Sequence, residues 1–343
     1  MAETQLYLPN FAMLPLEGYQ CMNRCLQTLV MVSIIAVMSI QPIGPAHAEN
    51  TQSAFPATSL VADIDVHIDL GESGQIEASG LVWYPPGEVY LLVSDEHAAI
   101  FELNRDGELR AQIELGDDDI DDLESISLEK DYLYLATSSS KNRKGKWRSE
   151  RGKFLRIKLQ EGAIASSESI DLAGLLAELA NNPQTEARAR AFLKDAFKSG
   201  AIDVESHAVR DNKLYLGFKD PRDSENNTVI LQLDDVEGMF AGRPPTASTW
   251  LRIQLGKATT GKRRRLSDFV IDDASIYLLS IAAGKKSISF LSRYDPGSGE
   301  LTDLAEYPGL KAEGISLDPG SRTTTIVFDG GGKSPSGWIR TSL

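Results

Sequence analysis

Short apolar segments alternate with turns through most of the chain, and one arrangement of them recurs five times. In each copy, an apolar segment opening with an acidic or small polar residue is followed by a turn and then by a β-rich segment. The copies are 78–81 with 88–92, 123–126 with 132–135, 204–207 with 214–216, 267–270 with 276–279, and 312–315 with 325–328. Strong chain reversers such as Pro85-Pro86-Gly87 and Asp211-Asn212 separate the paired segments. Each copy therefore predicts a β-hairpin.

A second pair of strands is expected after most of these hairpins. Segments 99–103 and 109–115 flank an Arg105-Asp106-Gly107 turn, and the chain repeats this arrangement after residue 289. Four antiparallel strands per repeated unit predict an all-β fold, the β-propeller, whose blades are arranged radially around a channel. The last hairpin is followed by too little chain for two full strands, so we expect a strand within 60–70 to complete that blade. We predict five blades, with six as the alternative if the termini form another.

The segment 171–200 changes from the period of a strand to that of a helix. Asn182 and Pro183 are suited to a helix cap and first turn, and Gly200 is suited to end a helix. An apolar stripe is formed by Phe192, Leu193, Ala196 and Phe197. We predict a helical hairpin inserted between two blades.

The first 48 residues have the pattern of a secretory leader. The segment 26–40 is almost entirely apolar, follows Arg24 and precedes the small-residue tripeptide ending at Ala48. This segment is shorter than a membrane-spanning helix requires, and prolines follow it closely. We predict a signal peptide over 1–48, with a true start at Met22, after residues 1–21, as the alternative. We predict a single propeller domain over 49–343 that is periplasmic or secreted.

Charge and cysteine content limit the partners and the chemistry. The formal net charge of −14 repels nucleic acid and anionic membranes, so neither is an expected partner. Both cysteines, Cys21 and Cys25, lie in the predicted leader, so the mature part would contain no disulfide. We expect a monomer free in solution.

The topology of a blade collects most of the unusual residues on one face. The loop that enters an inner strand and the loop that leaves the second strand lie on the same side of a blade. This face receives the acidic run 117–122, the segments 94–97 and 219–222, residues 329–331, and the helical insertion as a lid. Carboxylates that start inner strands should converge at the channel mouth.

Converging carboxylates repel one another unless a cation or a hydrogen bond compensates them. Ca²⁺ accepts about 6–8 oxygen ligands and is the cofactor that this pattern favours. The candidate metal ligands are Asp95, Asp122, Glu124, Glu205, Asp268 and Glu313. The alternative is that these carboxylates cap amides of neighbouring strands or pair with arginines.

Two basic loops, 141–148 and 262–265, open on the same face. Their charges could bind a small anionic ligand such as a phosphoester, and the alternative is that they are solvated rim loops. The candidate ligand-binding residues are Lys144, Arg148, Lys219 and Arg264, and the candidate catalytic residues are Glu124, Glu205, His207 and Lys219. No Gly-x-Ser-x-Gly elbow, Walker loop, dinucleotide fingerprint or zinc-ligand spacing is present.

Several short motifs resemble an uncharacterised family of bacterial propeller proteins known only as a domain of unknown function. They are Asp122-Leu123-Glu124, Lys144-Gly145-Lys146 with Arg151, Val204-Glu205, 216–221, Ala312-Glu313-Gly314 and 328–331, and the resemblance spans most of 76–331. Ser206-His207 departs from it, since a glycine and an aliphatic residue are expected there. The family is distantly similar to esterase-like phytase propellers, which implies calcium-assisted phosphoester hydrolysis.

Together these features predict an exported propeller that binds a cation and an anionic, for example phosphorylated, ligand on one lidded face. A metal-assisted hydrolase, phytase-like or phosphodiesterase-like, is the extension of this prediction. The alternative is a non-catalytic scaffold propeller that binds a ligand or a protein.

Overall fold

Five four-stranded antiparallel sheets form most of the described part of the protein, in a computed structural model. It describes the backbone of Val66–His67 and residues 76–116, 119–273, 275–318, 323–330 and 336–343, all within one compact unit, Pro56–Leu343. The predicted signal peptide, part of the acidic run (Asp117 and Asp118) and the end of the 329–331 segment (Gly331) lie outside the described residues.

The strands follow one another in the order that a propeller requires. In chain order they are β1 (Val66–His67), β2 (Ala78–Tyr84), β3 (Val89–Ser94), β4 (His97–Leu103), β5 (Leu109–Glu114), β6 (Leu123–Glu129), β7 (Tyr132–Thr137), β8 (Lys153–Gln160), β9 (Ala163–Asp171), β10 (Asp203–Arg210), β11 (Lys213–Asp220), β12 (Thr228–Asp234), β13 (Ala247–Ile253), β14 (Arg265–Ile271), β15 (Ile276–Ala282), β16 (Ile288–Asp295), β17 (Glu300–Pro308), β18 (Lys311–Asp318), β19 (Thr323–Asp329) and β20 (Gly337–Ser342). Four sheets take four consecutive strands each, β2–β5, β6–β9, β10–β13 and β14–β17, and the fifth has the order β1-β20-β19-β18.

The ring closes as the sequence predicts. Each inner strand contacts the next, in the cycle β2, β6, β10, β14, β18 and back to β2. Strand β1 pairs antiparallel with β20, so a segment N-terminal to the first blade forms the outer strand of the last blade. The prediction of a five-bladed propeller is therefore confirmed, and so is the closing strand within 60–70.

Burial explains why the second strands have apolar residues without alternation. Every residue of β3 and of β15 is buried, because each of these strands is covered on both faces by neighbouring blades. In the outer strand β9, by contrast, no residue is buried: most are exposed, two are partly buried, and several are serines. Apolar clusters between adjacent blades form the core, such as the one that joins Leu91, Leu123 and Leu135.

The insertion between the second and third blades forms the predicted helical hairpin, α1 (Leu172–Leu179) and α2 (Ala187–Ser199). Helix α2 ends at Gly200 with φ of 64°, as expected for a left-handed C-terminal residue. It starts later than Asn182 and Pro183 suggested, because Asn182 closes a tight turn by accepting a hydrogen bond from the Gln184 amide at 2.9 Å. A short helix α3 (Val236–Phe240) lies between β12 and β13. None of the helices in the described part of the chain has the length and apolar character needed to cross a membrane.

Candidate functional site

A one-residue bulge interrupts every inner strand at the same place. The pairing of each inner strand with the second strand of its blade skips one residue, and the skipped residues are Ser79, Glu124, Glu205, Ser267 and Glu313. A bulge re-aims the side chain of its extra residue and is common beside functional sites. It is this device that presents Glu124, Glu205 and Glu313 to the channel mouth.

The fourth blade differs from the predicted pattern by one position. Its bulge residue is Ser267, so Asp268 returns to the regular pairing opposite Leu279. The Asp268 carboxylate accepts hydrogen bonds from the backbone amides of Phe269 and Ile315, both at 2.8 Å. Asp268 lines the cavity on the far side of the channel and does not meet the other predicted ligands, which is the capping arrangement left open as the alternative.

The mouth itself is a small, polar cavity of about 80 Å³. Its lining comes from the entries to the inner strands and from the ends of the second strands. The polar lining residues are Glu77, Ser79, Asp95, Glu124, Glu205, Lys219, Lys311, Glu313 and Asp329. Six carboxyl groups thus share this space with two ammonium groups.

The two lysines pair with three of the six carboxylates. Lys219 Nζ lies 2.6 Å from Glu205 Oε1, and Lys311 Nζ lies 2.6 Å from Glu313 Oε1 and 2.7 Å from Asp329 Oδ2. Lys219 is itself an extra residue, since Asp203 pairs with Asp220 while the next residue pairs with Phe218. A second bulge therefore turns this lysine into the mouth. Although burial disfavours its charge, the neighbouring carboxylates, Glu205 first, raise the pKa of Lys219.

Three carboxylates of the mouth have no such partner. No hydrogen bond or ion pair joins the carboxylates of Glu77, Asp95 and Glu124 to another described side chain. Oδ1 of Asp95 is fully buried without a hydrogen-bond partner, while its backbone amide donates to Ser79 Oγ at 2.9 Å. An orphaned buried oxygen of this kind is costly unless a proton, water or ligand satisfies it.

Crowding and burial shift the proton affinity of the cluster. Burial, and next the charge of Glu77, raises the pKa of Asp95 to about 7. Burial, and next the charge of Glu205, raises the pKa of Glu124 well above its ordinary value. Burial also raises the pKa of Glu205 to about 8, against the opposing effect of Lys219. Some of these groups therefore carry protons at neutral pH.

Several predicted site residues lie elsewhere. Asp122 forms an ion pair with Arg151 and is not part of the mouth lining. His207 lines the far cavity, of about 370 Å³, where Ser125 Oγ lies 2.6 Å from Nδ1 and Ser127 Oγ lies 2.9 Å from Nε2. Burial lowers the pKa of His207 to about 3, so the ring is neutral and links strands β6 and β10.

The predicted basic ligands also separate into different environments. Arg264 is only 4 % exposed, pairs with Asp303 at 2.7 Å and lies over the ring of Phe290, so it is committed to the core of its blade. Arg148 is exposed and pairs with Glu150 at 2.6 Å, and Lys144 is exposed in the same loop. Of the four predicted anion ligands, Lys219 alone lines the mouth.

Sequence reasoning missed Glu77, Lys311 and Asp203 as members of this region. All three stand two residues before a bulge residue, and a charged residue occupies this position in every blade: Glu77, Asp122, Asp203, Arg265 and Lys311. This recurrence of a charged residue at one position of each blade is visible in the sequence and could have identified these residues. Asp203 lies beside the mouth, and its pKa is raised to about 6 by burial, against the opposing charge of Lys219.

Oxygen donors such as these suit a hard cation, and the orphaned Asp95 oxygen is compatible with one. Across the parts of the chain that the structure describes, no group of three or more His, Cys, Asp or Glu residues is arranged to hold a metal ion. Lys219 and Lys311 already compensate part of the negative charge that a bound cation would compensate.

No family model and no curated protein matches the chain, which is consistent with an uncharacterised family. Among solved structures, it is similar to a gluconolactonase of Xanthomonas campestris (8% identity, 78% of this chain and 86% of that chain, TM-score 0.41). It is also similar to the Cps50 (Swd1) β-propeller domain of Myceliophteria thermophila (9% identity, 78% and 97%, TM-score 0.39). A third likeness is to the hydrazine synthase of Kuenenia stuttgartiensis (10% identity, 77% and 59%, TM-score 0.37), of which the chain spans little more than half. These likenesses concern the fold alone and give no support to a phytase-like similarity.

Proposed function

We propose that this propeller is a ligand-binding protein that takes up a cation at its carboxylate-lined mouth and an anionic ligand on the same face. The observation that carries the proposal is the imbalance of six carboxyl groups against two lysines, with Glu77, Asp95 and Glu124 unpartnered. A cation entering the mouth would displace protons from its carboxyl groups, since burial raises the pKa of Asp95 to about 7 and that of Glu205 to about 8. Ca²⁺ is the metal probe that such oxygen donors favour.

Calcium titration by calorimetry tests this proposal. At pH 7.5 we expect saturable binding accompanied by proton release, seen as a heat that depends on the ionisation enthalpy of the buffer. Glu124→Gln should weaken binding by about tenfold or more, because it removes one ligand charge. Glu306→Gln, an exposed substitution on the outer strand β17, is the matched control and should leave binding unchanged. Absence of saturable heat, or equal binding by both variants, would contradict cation binding at the mouth.

Metal-assisted phosphoester hydrolysis is an extension of this proposal. A bound metal ion would supply Lewis-acid chemistry, while Glu124 would help to hold the ion and Lys219 would stabilise developing negative charge. A screen of phosphomonoesters and phosphodiesters with added calcium tests it. Loss of turnover in both Glu124→Gln and Glu313→Gln is expected. Turnover untouched by both substitutions, or no turnover in the presence of bound calcium, would leave the non-catalytic scaffold as the function.

A further inference from the structure

A second cavity, of about 340 Å³, lies beside the mouth and is lined by arginines. Arg222 comes from the loop between β11 and β12, Arg263 from the segment that enters β14, and Arg265 from the start of β14. The rest of the lining is formed by Asp220, Pro221 and Asn226, by Ser199 at the end of α2 and by Ala201 just after it. We call this cavity the arginine cleft.

The three guanidinium groups are held by the backbone and by amide groups more than by carboxylates. Arg222 donates to the carbonyl oxygens of Asn226, at 3.4 Å, and Arg264. Arg263 donates to the side-chain oxygen of Asn226. Only Arg265 has an ion pair in the cleft, with Asp220 at 3.1 Å. Within the described lining, three positive charges are thus balanced by one negative charge.

Bringing these charges together has an electrostatic cost. The pKa of Arg222 is lowered first by its burial and next by the charge of Arg263. The fixed hydrogen bonds to Asn226 and to the Arg264 carbonyl nevertheless hold the two side chains on one wall. A bound oxyanion would remove the repulsion and accept charge-assisted hydrogen bonds from the remaining N–H groups.

The arginine cleft and the mouth flank the end of one strand. Lys219 lines the mouth and the next residue, Asp220, lines the cleft. Successive side chains of a strand point in opposite directions, so these two neighbours line different cavities. At the position two residues before the bulge, the fourth blade has Arg265, which lines the cleft, and the fifth blade has Lys311, which lines the mouth.

We propose that the arginine cleft is an oxyanion-binding site that holds the phosphate or other oxyanion group of the ligand through Arg222, Arg263 and Arg265. This inference rests on the proposed function in taking the ligand to be anionic, and it assigns the anion to residues other than Arg264, whose guanidinium pairs with Asp303. The C-terminal end of α2 contributes Ser199 to the lining of this site.

Inorganic phosphate is the probe for this site. Titration at constant ionic strength, followed by calorimetry, should show saturable binding that falls about tenfold or more in Arg263→Gln and in Arg265→Gln, since each removes a charged donor. Arg263→Lys should recover part of the affinity, because it keeps the charge and loses the planar fork. Arg110→Gln, an exposed substitution on the outer strand β5, is the matched control and should bind as the unchanged protein does. Arg222 is left intact in these variants because its contacts also support the loop.

Two outcomes would overturn the inference: no saturable phosphate binding, or binding that the Arg263→Gln and Arg265→Gln variants retain in full. A calcium titration of the same variants separates this inference from the proposed function. If calcium binds normally but phosphate does not bind, the arginine cleft is not an oxyanion site, and the proposed cation site is unaffected. Phosphate binding that maps to the arginines, without calcium binding, keeps the cleft and removes the cation site.

Discussion

Individual polar residues join the inner strands across blade boundaries, where no sheet ladder exists. Asp268 of β14 accepts from the Ile315 amide of β18, and Ser267 donates to the Ala312 carbonyl oxygen at 2.7 Å. His207 bridges serines of β6 from β10. Because these groups are buried, each would cost about 1–3 kcal/mol if its partner were removed. The polar residues of the channel thus include a structural set, distinct from the carboxylates at the mouth.

Two glycines allow inner strands to approach closely. A Cβ atom on Gly314 would lie 2.9 Å from the Leu81 amide nitrogen, and one on Gly80 would lie 2.9 Å from the Ser125 Cα atom. Both obstacles are backbone atoms, which cannot turn away.

Gly314→Ala should therefore lower the free energy of unfolding by about 1–3 kcal/mol, the usual cost of overpacking. Gly284→Ala is the matched control, since its Cβ would meet only the Lys286 carbonyl oxygen at 3.4 Å. Urea unfolding of both variants measures the difference. Equal stability of the two would show that the inner strands can separate to admit a methyl group.

At the residue scale, the sequence predicts the carboxylates of the mouth only in part. Glu124, Glu205 and Glu313 lie there because the topology of a blade brings the entries of its inner strands to the channel. Asp268 does not, since Ser267 and Asp268 both suit the pattern of a polar residue before an apolar segment and the sequence does not say which is the bulge. The pairing of Lys311 with Glu313 depends on side-chain directions that no sequence pattern gives.

Among the elements, the helical hairpin has the clearest energetic role. Leu193 of α2 and Leu176 of α1 are fully buried in a cluster with Phe218 of β11, the strand that carries Lys219. Phe192 packs edge-to-face on Phe218 with ring centroids 5.0 Å apart. The helical hairpin is therefore part of the core of the second and third blades.

Leu193→Ala should lower the free energy of unfolding by about 2–5 kcal/mol, because it leaves a cavity in this cluster. Lys194→Ala, at the adjacent exposed position of the same helix, should change it by less than about 0.5 kcal/mol. Thermal and urea denaturation provide the comparison. A small effect of Leu193→Ala would mean that the hairpin is only loosely docked.

Apolar periodicity predicted this hairpin, and Gly200 predicted its end, but the predicted start of the second helix at Asn182 and Pro183 was wrong. Asn182 and Pro183 have the composition of a helix start, but the chain first makes a turn and enters α2 at Ala187 without a side-chain cap. A cap signal and a turn signal use the same residue types, so local sequence does not separate them.

On the scale of the whole molecule, ring closure buries a group of carboxyl groups at the mouth, and stability should depend on pH accordingly. The carboxyl pKa is raised by folding to about 6 at Asp203, about 7 at Asp95 and about 8 at Glu205. Between about pH 4 and pH 8 the unfolded chain releases protons that the folded protein retains, so stability falls as pH rises.

The melting temperature should therefore decrease from about pH 5 to pH 8, as measured by calorimetry at constant salt. Glu124→Gln should flatten this dependence, because it removes one ionising group from the cluster. Glu306→Gln should reproduce the profile of the unchanged protein. A melting temperature that rises steadily over this range would show that the mouth carboxylates are stabilised as anions.

The five-bladed ring was the most predictable feature, since hairpins repeated along the chain have few other ways to bury their faces. Closure by Val66–His67 followed from the short chain beyond the last hairpin. The arginine cleft was not predictable, because it depends on how segments of the third and fourth blades and the end of α2 meet, which no sequence pattern gives.

A crystal structure determined with calcium present would show whether the mouth binds a cation. We predict an ion in the mouth, with carboxylate oxygens of Glu77, Asp95 and Glu124 at about 2.3–2.6 Å and with the paired lysines displaced or retained at its edge. A mouth in which Lys219 and Lys311 keep their present partners and no ion binds at saturating calcium would contradict it.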